Sequence, residues 1–112
     1  MFAPNNLVGN PPINNFYDVD TTEVIELGTL MNGTDPFWGS AEFVYGKSSG
    51  AIRQYGLCVC TPTFNATLKR WEVIFSEVPN TANLGRALYV AQGVMATGEF
   101  GWFCQGGITP VN

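Results

Sequence analysis

The sequence contains no histidine and few motifs that support catalysis. Without histidine there is no Ser-His-Asp or Cys-His arrangement, and a catalytic cysteine would lack its usual base. Neither a phosphate-binding Gly-x-x-x-x-Gly-Lys-Ser/Thr loop nor a dinucleotide-binding Gly-x-Gly-x-x-Gly turn is present. We therefore expect neither an enzyme nor a bound cofactor. Two close carboxylate pairs occur on one acidic segment, with nothing to indicate a cleft around them: Asp18 with Asp20, and Glu23 with Glu26.

Charged residues are also scarce, at 12% of 112 residues, whereas 46% are hydrophobic and 13% aromatic. This composition predicts one folded domain, because there is apolar surface to bury and too little charge to keep the chain disordered. Few charges remain to cover the outside, which favours a surface partly buried by other subunits. The five basic residues are scattered and the net charge is −4, so we expect neither nucleic acid nor an anionic membrane as a partner.

Long apolar runs and a planned set of cysteines are absent as well. No run approaches the roughly 18 residues of a transmembrane helix, and "MFAPNNLVGNPPINN" lacks the basic and apolar regions of a secretory signal. We expect a protein made in a cytoplasm. Zinc would need a fourth ligand, and an odd cysteine count argues against a disulfide framework. We expect no metal site and three buried structural thiols: Cys58, Cys60 and Cys104.

Residues 1–20 differ in composition from the rest of the chain. They hold three prolines and five asparagines together with several large apolar side chains. Proline and asparagine both resist regular structure, so this segment predicts an extended N-terminal arm, followed by a domain over residues 21–112. Two interpretations stay open: a mobile terminus, or an arm that docks on its own domain or on a neighbour.

From residue 22 onward, short apolar runs alternate with turn residues, which is typical of strands. An all-β fold is expected, a small β-barrel or β-sandwich of about six to eight short strands. "KSSG", residues 47–50, predicts a hairpin loop. In "RWEVIFS" the alternation places Trp71 on the buried face with Val73 and Phe75. The predicted strands cover residues 22–28, 40–47, 51–60, 70–76, 86–93 and 100–107.

The last predicted strand has large side chains on both faces. In "ATGEFGWFCQGG", residues 96–107, Trp102 and Cys104 fall on one face and Phe103 on the other. An aromatic residue on each face predicts burial on both sides, either by a closed barrel with its loops or by a partner.

Two stretches carry a resemblance to a known family: "SAEFVYGKSSGAIRQYGLCV" and "NTANLGRALYVAQGVMATGEFGWFCQGGITPVN". Their spacing of glycine and aromatic residues resembles that of the small proteins that decorate, or cement, the capsids of tailed bacteriophages. Neither residues 1–20 nor the three cysteines match that pattern. The matching positions are Glu42, Phe43, Tyr45, Gly56, Leu84 to Ala87, Ala96, Gly98, Phe100, Gly101, Trp102 and Gly106.

The resemblance implies a β-barrel or β-sandwich that binds the outer capsid surface and stabilises the shell. The implied partners are the major capsid protein and further copies of the chain in a homotrimer, and the implied location is the virion, after synthesis in the host cytoplasm. The alternatives are a tail or knob component, or a carbohydrate-binding β-sandwich module whose loop aromatics stack on sugars. The candidate contact residues, from the arm and one loop, are Phe2, Leu7, Ile13, Phe16, Tyr17, Phe37 and Trp38.

Overall fold

The computed structural model describes residues 3–4, 15–36, 39–77 and 87–106. Within these ranges all regular structure is β, without a helix, so the prediction of an all-β fold is confirmed. The strands are β1 (Ala3–Pro4), β2 (Leu30–Asp35), β3 (Gly39–Ser48), β4 (Leu57–Cys60), β5 (Thr63–Asn65), β6 (Arg70–Glu72), β7 (Ile74–Glu77), β8 (Tyr89–Ala91) and β9 (Phe100–Gly106).

Seven strands form one mixed sheet in the order β1-β2-β3-β7-β4-β8-β9, and β9 also pairs with β3. The pairings of β3, β7, β4, β8 and β9 therefore run in a closed cycle. The end of β3 pairs in parallel with β7, through Lys47 opposite Ile74, and every other pairing is antiparallel. β5 and β6 form a separate two-stranded hairpin between β4 and β7.

An inner core is formed by buried side chains to which every strand of the cycle contributes. At its centre the rings of Phe75 and Phe103 stack with centroids 3.9 Å apart. Gly46 lies against them, and a Cβ at this position would overlap the Phe75 ring, so the absence of a side chain permits this packing. The inner core consists of Val44, Ile52, Cys58, Phe75, Ala91, Met95 and Phe103.

An outer core covers the opposite face of β3, β8 and β9. Because neighbouring strand residues point to opposite faces, Phe43 and Trp102 lie here whereas Val44 and Phe103 lie in the inner core. Both faces of β9 are therefore buried within the chain itself, as its aromatic residues predicted. The outer core consists of Phe16, Ile25, Met31, Ala41, Phe43, Tyr45, Val90, Phe100, Trp102 and Cys104.

Residues 15–20, the described end of the predicted arm, pack directly on this domain. Asp20 and Phe100 exchange two backbone hydrogen bonds of 2.8 Å. The Tyr45 hydroxyl donates a hydrogen bond of 2.9 Å to the Asp20 carboxylate. Burial, followed by this hydrogen bond, raises the pKa of Tyr45, so the hydroxyl stays protonated. The segment joins the outer core well before residue 21.

Two predictions near the start of the domain are wrong. Residues 22–28, predicted as a strand, form bends and a turn, whereas β2 covers Leu30–Asp35, between the first two predicted strands. In β2 the buried positions are Met31, Gly33 and Asp35. The sequence shows no apolar alternation here, because two of these three buried residues are a glycine and an acid. Gly33 has to be small, because a Cβ there would lie 2.5 Å from a ring carbon of Phe16.

The predicted "KSSG" hairpin is wrong as well. The neighbours of β3 in the sheet are β2, β7 and β9, and β4 is not among them. After β3 the chain crosses to the segment before β9, where Ile52 and Met95 exchange backbone hydrogen bonds. The Ser48 hydroxyl donates to the Ala96 carbonyl oxygen at 2.5 Å, so the last residue of β3 ties two distant segments together.

Candidate functional site

The β5–β6 hairpin carries large apolar side chains on the surface. Phe64 is 50% exposed, Leu68 57% and Trp71 69%, and the two aromatic rings meet edge to face with centroids 5.5 Å apart. We call residues 61–72 the aromatic hairpin. Exposed apolar side chains that lie together on a surface are typical of contact sites in proteins.

The prediction that Trp71 belongs to the core is wrong. "RWEVIFS" is divided at Val73 into β6 and β7, and only β7 belongs to the main sheet. Val73 and Phe75 pack in the inner core as predicted, whereas β6 pairs with β5 alone. Nothing in the described chain covers the Trp71 side of β6, and the buried residue of this strand is Glu72.

Polar groups fix the shape of the aromatic hairpin. The Asn65 side-chain oxygen accepts hydrogen bonds of 3.0 Å from the backbone N–H groups of Thr67 and Leu68, which closes the turn. The Asn65 side-chain amide donates to Glu72 across the hairpin at 3.2 Å. Arg70 pairs with the carboxylates of both Glu72 and Glu23, which ties the hairpin to the domain. Phe64 and Trp71 are thus held on a structured support.

The protonation of Glu72 follows from these contacts. Burial raises the pKa of this carboxyl, but hydrogen bonds from Arg70 and Asn65 outweigh burial, and the net pKa lies below the ordinary value. The same ion pairs, with Glu23 first, raise the pKa of Arg70. A group whose pKa is lowered on folding stabilises the fold above its unfolded-state pKa, and this contribution disappears as pH falls through its folded pKa.

We expect Glu72→Gln to lower the free energy of unfolding at about pH 7 by about 1–3 kcal/mol, because a buried hydrogen bond to a charged group is lost. We also expect a flatter acid profile than wild type between about pH 5 and about pH 3, since only the wild type must protonate this carboxylate. Urea unfolding at several pH values measures both. Parallel profiles for the two proteins would show that the Glu72 carboxylate contributes nothing to stability.

An apolar pocket lies at the other end of the β4–β7 pair. Its volume is about 410 Å³, and it lies between residues 51–54 and the segment before β9. Val94, on its rim, is 69% exposed, whereas Ile52 and Met95 are buried in the inner core. We call this cavity the apolar pocket; its lining residues are Ala51, Ile52, Arg53, Gln54, Val94 and Met95.

Arg53 fixes one edge of the apolar pocket through Glu77. The Glu77 carboxylate accepts hydrogen bonds from the Arg53 backbone N–H at 2.7 Å and from its Nε at 2.6 Å. The Arg53 side chain is 64% exposed, so the ion pair adds little stability but neutralises the guanidinium charge at the rim.

The structure changes the role of the predicted contact residue Phe16. Its side chain is fully buried, stacks on Phe43 at 3.9 Å and meets Trp102 edge to face at 5.4 Å. It therefore belongs to the outer core and offers no surface to a partner in this conformation. Tyr17 is half-buried against Tyr55. The remaining candidates lie outside the described residues: Phe2, Leu7, Ile13, Phe37 and Trp38.

Sequence reasoning missed both surface features. The predicted strands 51–60 and 70–76 leave "TPTFNATLK", residues 61–69, as a loop between them, although Phe64 and Trp71 flank a turn with Asn65 at its start, which is a hairpin pattern. The apolar pocket has no comparable signal, because its lining residues come from two segments that only the tertiary fold brings together.

None of the three thiols forms a disulfide, and two of the three are buried. Cys58 is 0% exposed in the inner core and Cys104 4% exposed in the outer core, whereas Cys60 is partly buried. Burial, and then the nearby Glu77 charge, raise the pKa of Cys58 to about 12. Among the described residues no three His, Cys, Asp or Glu side chains are grouped to hold a metal ion.

We expect iodoacetamide at about pH 8 to label Cys60 of the native protein first, because alkylation requires an accessible thiolate. Cys58 and Cys104 should react about tenfold more slowly than Cys60 until denaturant is added. Peptide mass spectrometry of timed samples measures each site. Equal native rates at the three positions would contradict the buried placement of Cys58 and Cys104.

No protein-family model matches the chain, and neither a curated protein nor a solved structure matches it. In the described ranges no helix has the length and hydropathy needed to cross a lipid bilayer.

Proposed function

We propose that this protein is a structural protein that acts by binding other protein surfaces, and specifically a capsid decoration protein of a tailed bacteriophage. The aromatic hairpin is the observation that carries the proposal of a protein-binding structural role, since exposed apolar side chains on a fixed support suit a contact surface. The low charged fraction supports the same interpretation, and so does the sequence resemblance.

The proposed mechanism is stabilisation by preferential binding. A protein that binds the assembled shell but not its dispersed subunits shifts the equilibrium toward the shell by mass action. Many copies that each bridge neighbouring subunits add to the effect through multivalency. In this proposal the fold is a small barrel, which the closed cycle of five strands supports, and the copies form homotrimers on the capsid surface.

The test of the proposal is to count this chain in density-purified particles from its source. Quantitative mass spectrometry against the major capsid protein should find about one copy per capsid subunit or per few subunits, as multivalent coverage requires. A handful of copies per particle would indicate a tail or knob component instead. Absence from particles would overturn the virion assignment.

The arm can be tested separately with a deletion that spares the core. Removal of residues 1–14 keeps Asn15, which caps the Tyr17 and Asp18 N–H groups, and it keeps the buried Phe16. We expect the truncated chain to fold and to bind particles more weakly, because Phe2, Leu7 and Ile13 are the proposed shell contacts. Unchanged binding and heat tolerance of the particles would contradict that role.

A carbohydrate-binding module is the second candidate, because Trp71 exposes an aromatic ring on which a sugar could stack. The neighbouring polar groups argue against it. Both ends of the Asn65 amide are already used within the hairpin, so they do not serve sugar hydroxyls. Glycan binding that is lost in Trp71→Ala would favour this candidate over the structural one.

A further inference from the structure

We propose that the aromatic hairpin of one copy docks into the apolar pocket of a second copy, so that copies associate head to tail. The inference does not depend on a capsid. It names a second copy of the chain as the partner of the aromatic hairpin, for which the proposed function gives no specific partner.

The two surfaces lie at opposite ends of one strand pair. The aromatic hairpin follows Cys60 and leads into Ile74, and Thr61 N–H donates to the Ile74 carbonyl oxygen at 2.8 Å. At the other end of the pair Cys58 lies opposite Glu77, and the Glu77 carboxylate holds Arg53 of the apolar pocket. A chain therefore does not fill its own pocket with its own hairpin, whereas a second copy can.

The sizes of the two features are compatible. A buried apolar cavity of about 150 Å³ suffices to hold benzene, and the apolar pocket has about 410 Å³. It can therefore accept one indole ring together with part of a second side chain. Trp71 is the most exposed of the three hairpin side chains, and Val94 on the rim is exposed to the same extent. Docking would cover both.

The charges of the two surfaces are complementary. Lys69, at the hairpin turn, is exposed and has no ion pair among the described residues. One carboxylate without an ion-pair partner in the described chain lies next to a residue that follows the pocket lining. Glu99 accepts a hydrogen bond of 2.6 Å from the Ala96 N–H, just after Met95.

An interface between two different patches of the same chain is heterologous, so each copy has one hairpin and one pocket to offer. Such contacts give a closed ring when the rotation between copies closes and an open row when it does not. This asymmetry makes the proposal directly testable, because one patch can be disabled at a time.

The experiment is sedimentation velocity on the purified full chain and three variants. Trp71→Ala disables the hairpin, Val94→Asp disables the pocket, and Leu30→Ala is the matched control, since Leu30 is an exposed apolar residue on β2 outside both surfaces. All three positions are exposed, and thermal unfolding of each variant checks its fold. We expect wild type and Leu30→Ala to associate, and Trp71→Ala and Val94→Asp each to raise the association Kd by about 30-fold.

The decisive sample is an equimolar mixture of Trp71→Ala and Val94→Asp. The first variant keeps its pocket and the second keeps its hairpin, so the mixture should form a heterodimer with a Kd near that of wild-type association, although each variant alone associates only weakly. A monomeric mixture beside an associating wild type would overturn the proposal. So would a wild type that stays monomeric up to about 1 mM, or association that survives Val94→Asp.

Charge supplies an independent check on the same contact. Lys69→Glu should weaken association by about tenfold at low salt, and the difference from wild type should shrink as salt screens the Glu99 carboxylate. An unchanged Kd would show that Lys69 does not face Glu99 and would overturn the proposed orientation. These measurements use no particles, so their failure is distinct from failure of the copy count.

Discussion

Replacing Phe16 by alanine is expected to lower the free energy of unfolding by about 3–5 kcal/mol, the usual cost of removing a buried aromatic side chain. The reason is local packing. Phe16 is fully buried, stacks on Phe43 and contacts Trp102, so its removal opens a cavity in the outer core. Urea unfolding of the isolated chain, followed by circular dichroism, measures the loss.

The matched control is Phe64→Ala, which removes the same side chain from an exposed position. We expect that variant to stay within about 0.5–1 kcal/mol of wild type, as surface substitutions usually do. The comparison separates the two interpretations of the arm. If Phe16 served a partner instead of the core, both variants would be equally stable in isolation.

The second large effect is expected at the centre of the inner core. Phe75→Ala should cost about 3–5 kcal/mol, because it removes one ring of the stacked pair with Phe103 and leaves a void. Gly46→Ala should cost about 1–3 kcal/mol for the opposite reason, since the new methyl group would overlap the Phe75 ring.

The double variant distinguishes this explanation from two independent defects. With Phe75 truncated, the methyl group introduced by Gly46→Ala has space and fills part of the cavity. The loss of unfolding free energy in the double variant should therefore be smaller than the sum of the two single losses by about 1 kcal/mol or more. Equilibrium unfolding of the four proteins gives this coupling. Additive losses of unfolding free energy would show that Gly46 does not face Phe75, which would contradict the packing described for the inner core.

In the proposed assembly the surfaces have separate tasks. The aromatic hairpin and the apolar pocket would join copies to one another, which leaves the N-terminal arm and the loop with Phe37 and Trp38 to contact the shell. Variants in one set should therefore change association of the free chain, and variants in the other should change particle binding. A homotrimer on a capsid is one outcome that closed head-to-tail contacts permit.

Several features could be predicted because they depend on local pattern alone. β3 and β9 each carry large side chains on both faces, so strand alternation alone places Val44 and Phe103 against one core and Phe43 and Trp102 against another. Burial without a disulfide, predicted for all three cysteines, is confirmed for Cys58 and Cys104, whereas Cys60 is only partly buried.

Other features depend on which strand lies beside which, and local pattern does not contain that information. β2 is built from a mostly polar sequence and exists because β3 supplies its hydrogen-bond partners, with Gly33 making room for the Phe16 ring. Trp71 has the pattern of a core residue but is exposed, because its strand pairs with β5 outside the main sheet.

The sequence by itself determined the all-β class, the two-faced burial of β9 and the shortage of charge. Only the tertiary structure decided that the pairings close into a cycle, that Phe16 belongs to the core and that Trp71 does not. The physical reason is that strand pairing joins residues far apart in the chain, so the neighbour that buries or exposes a side chain is chosen by the whole fold.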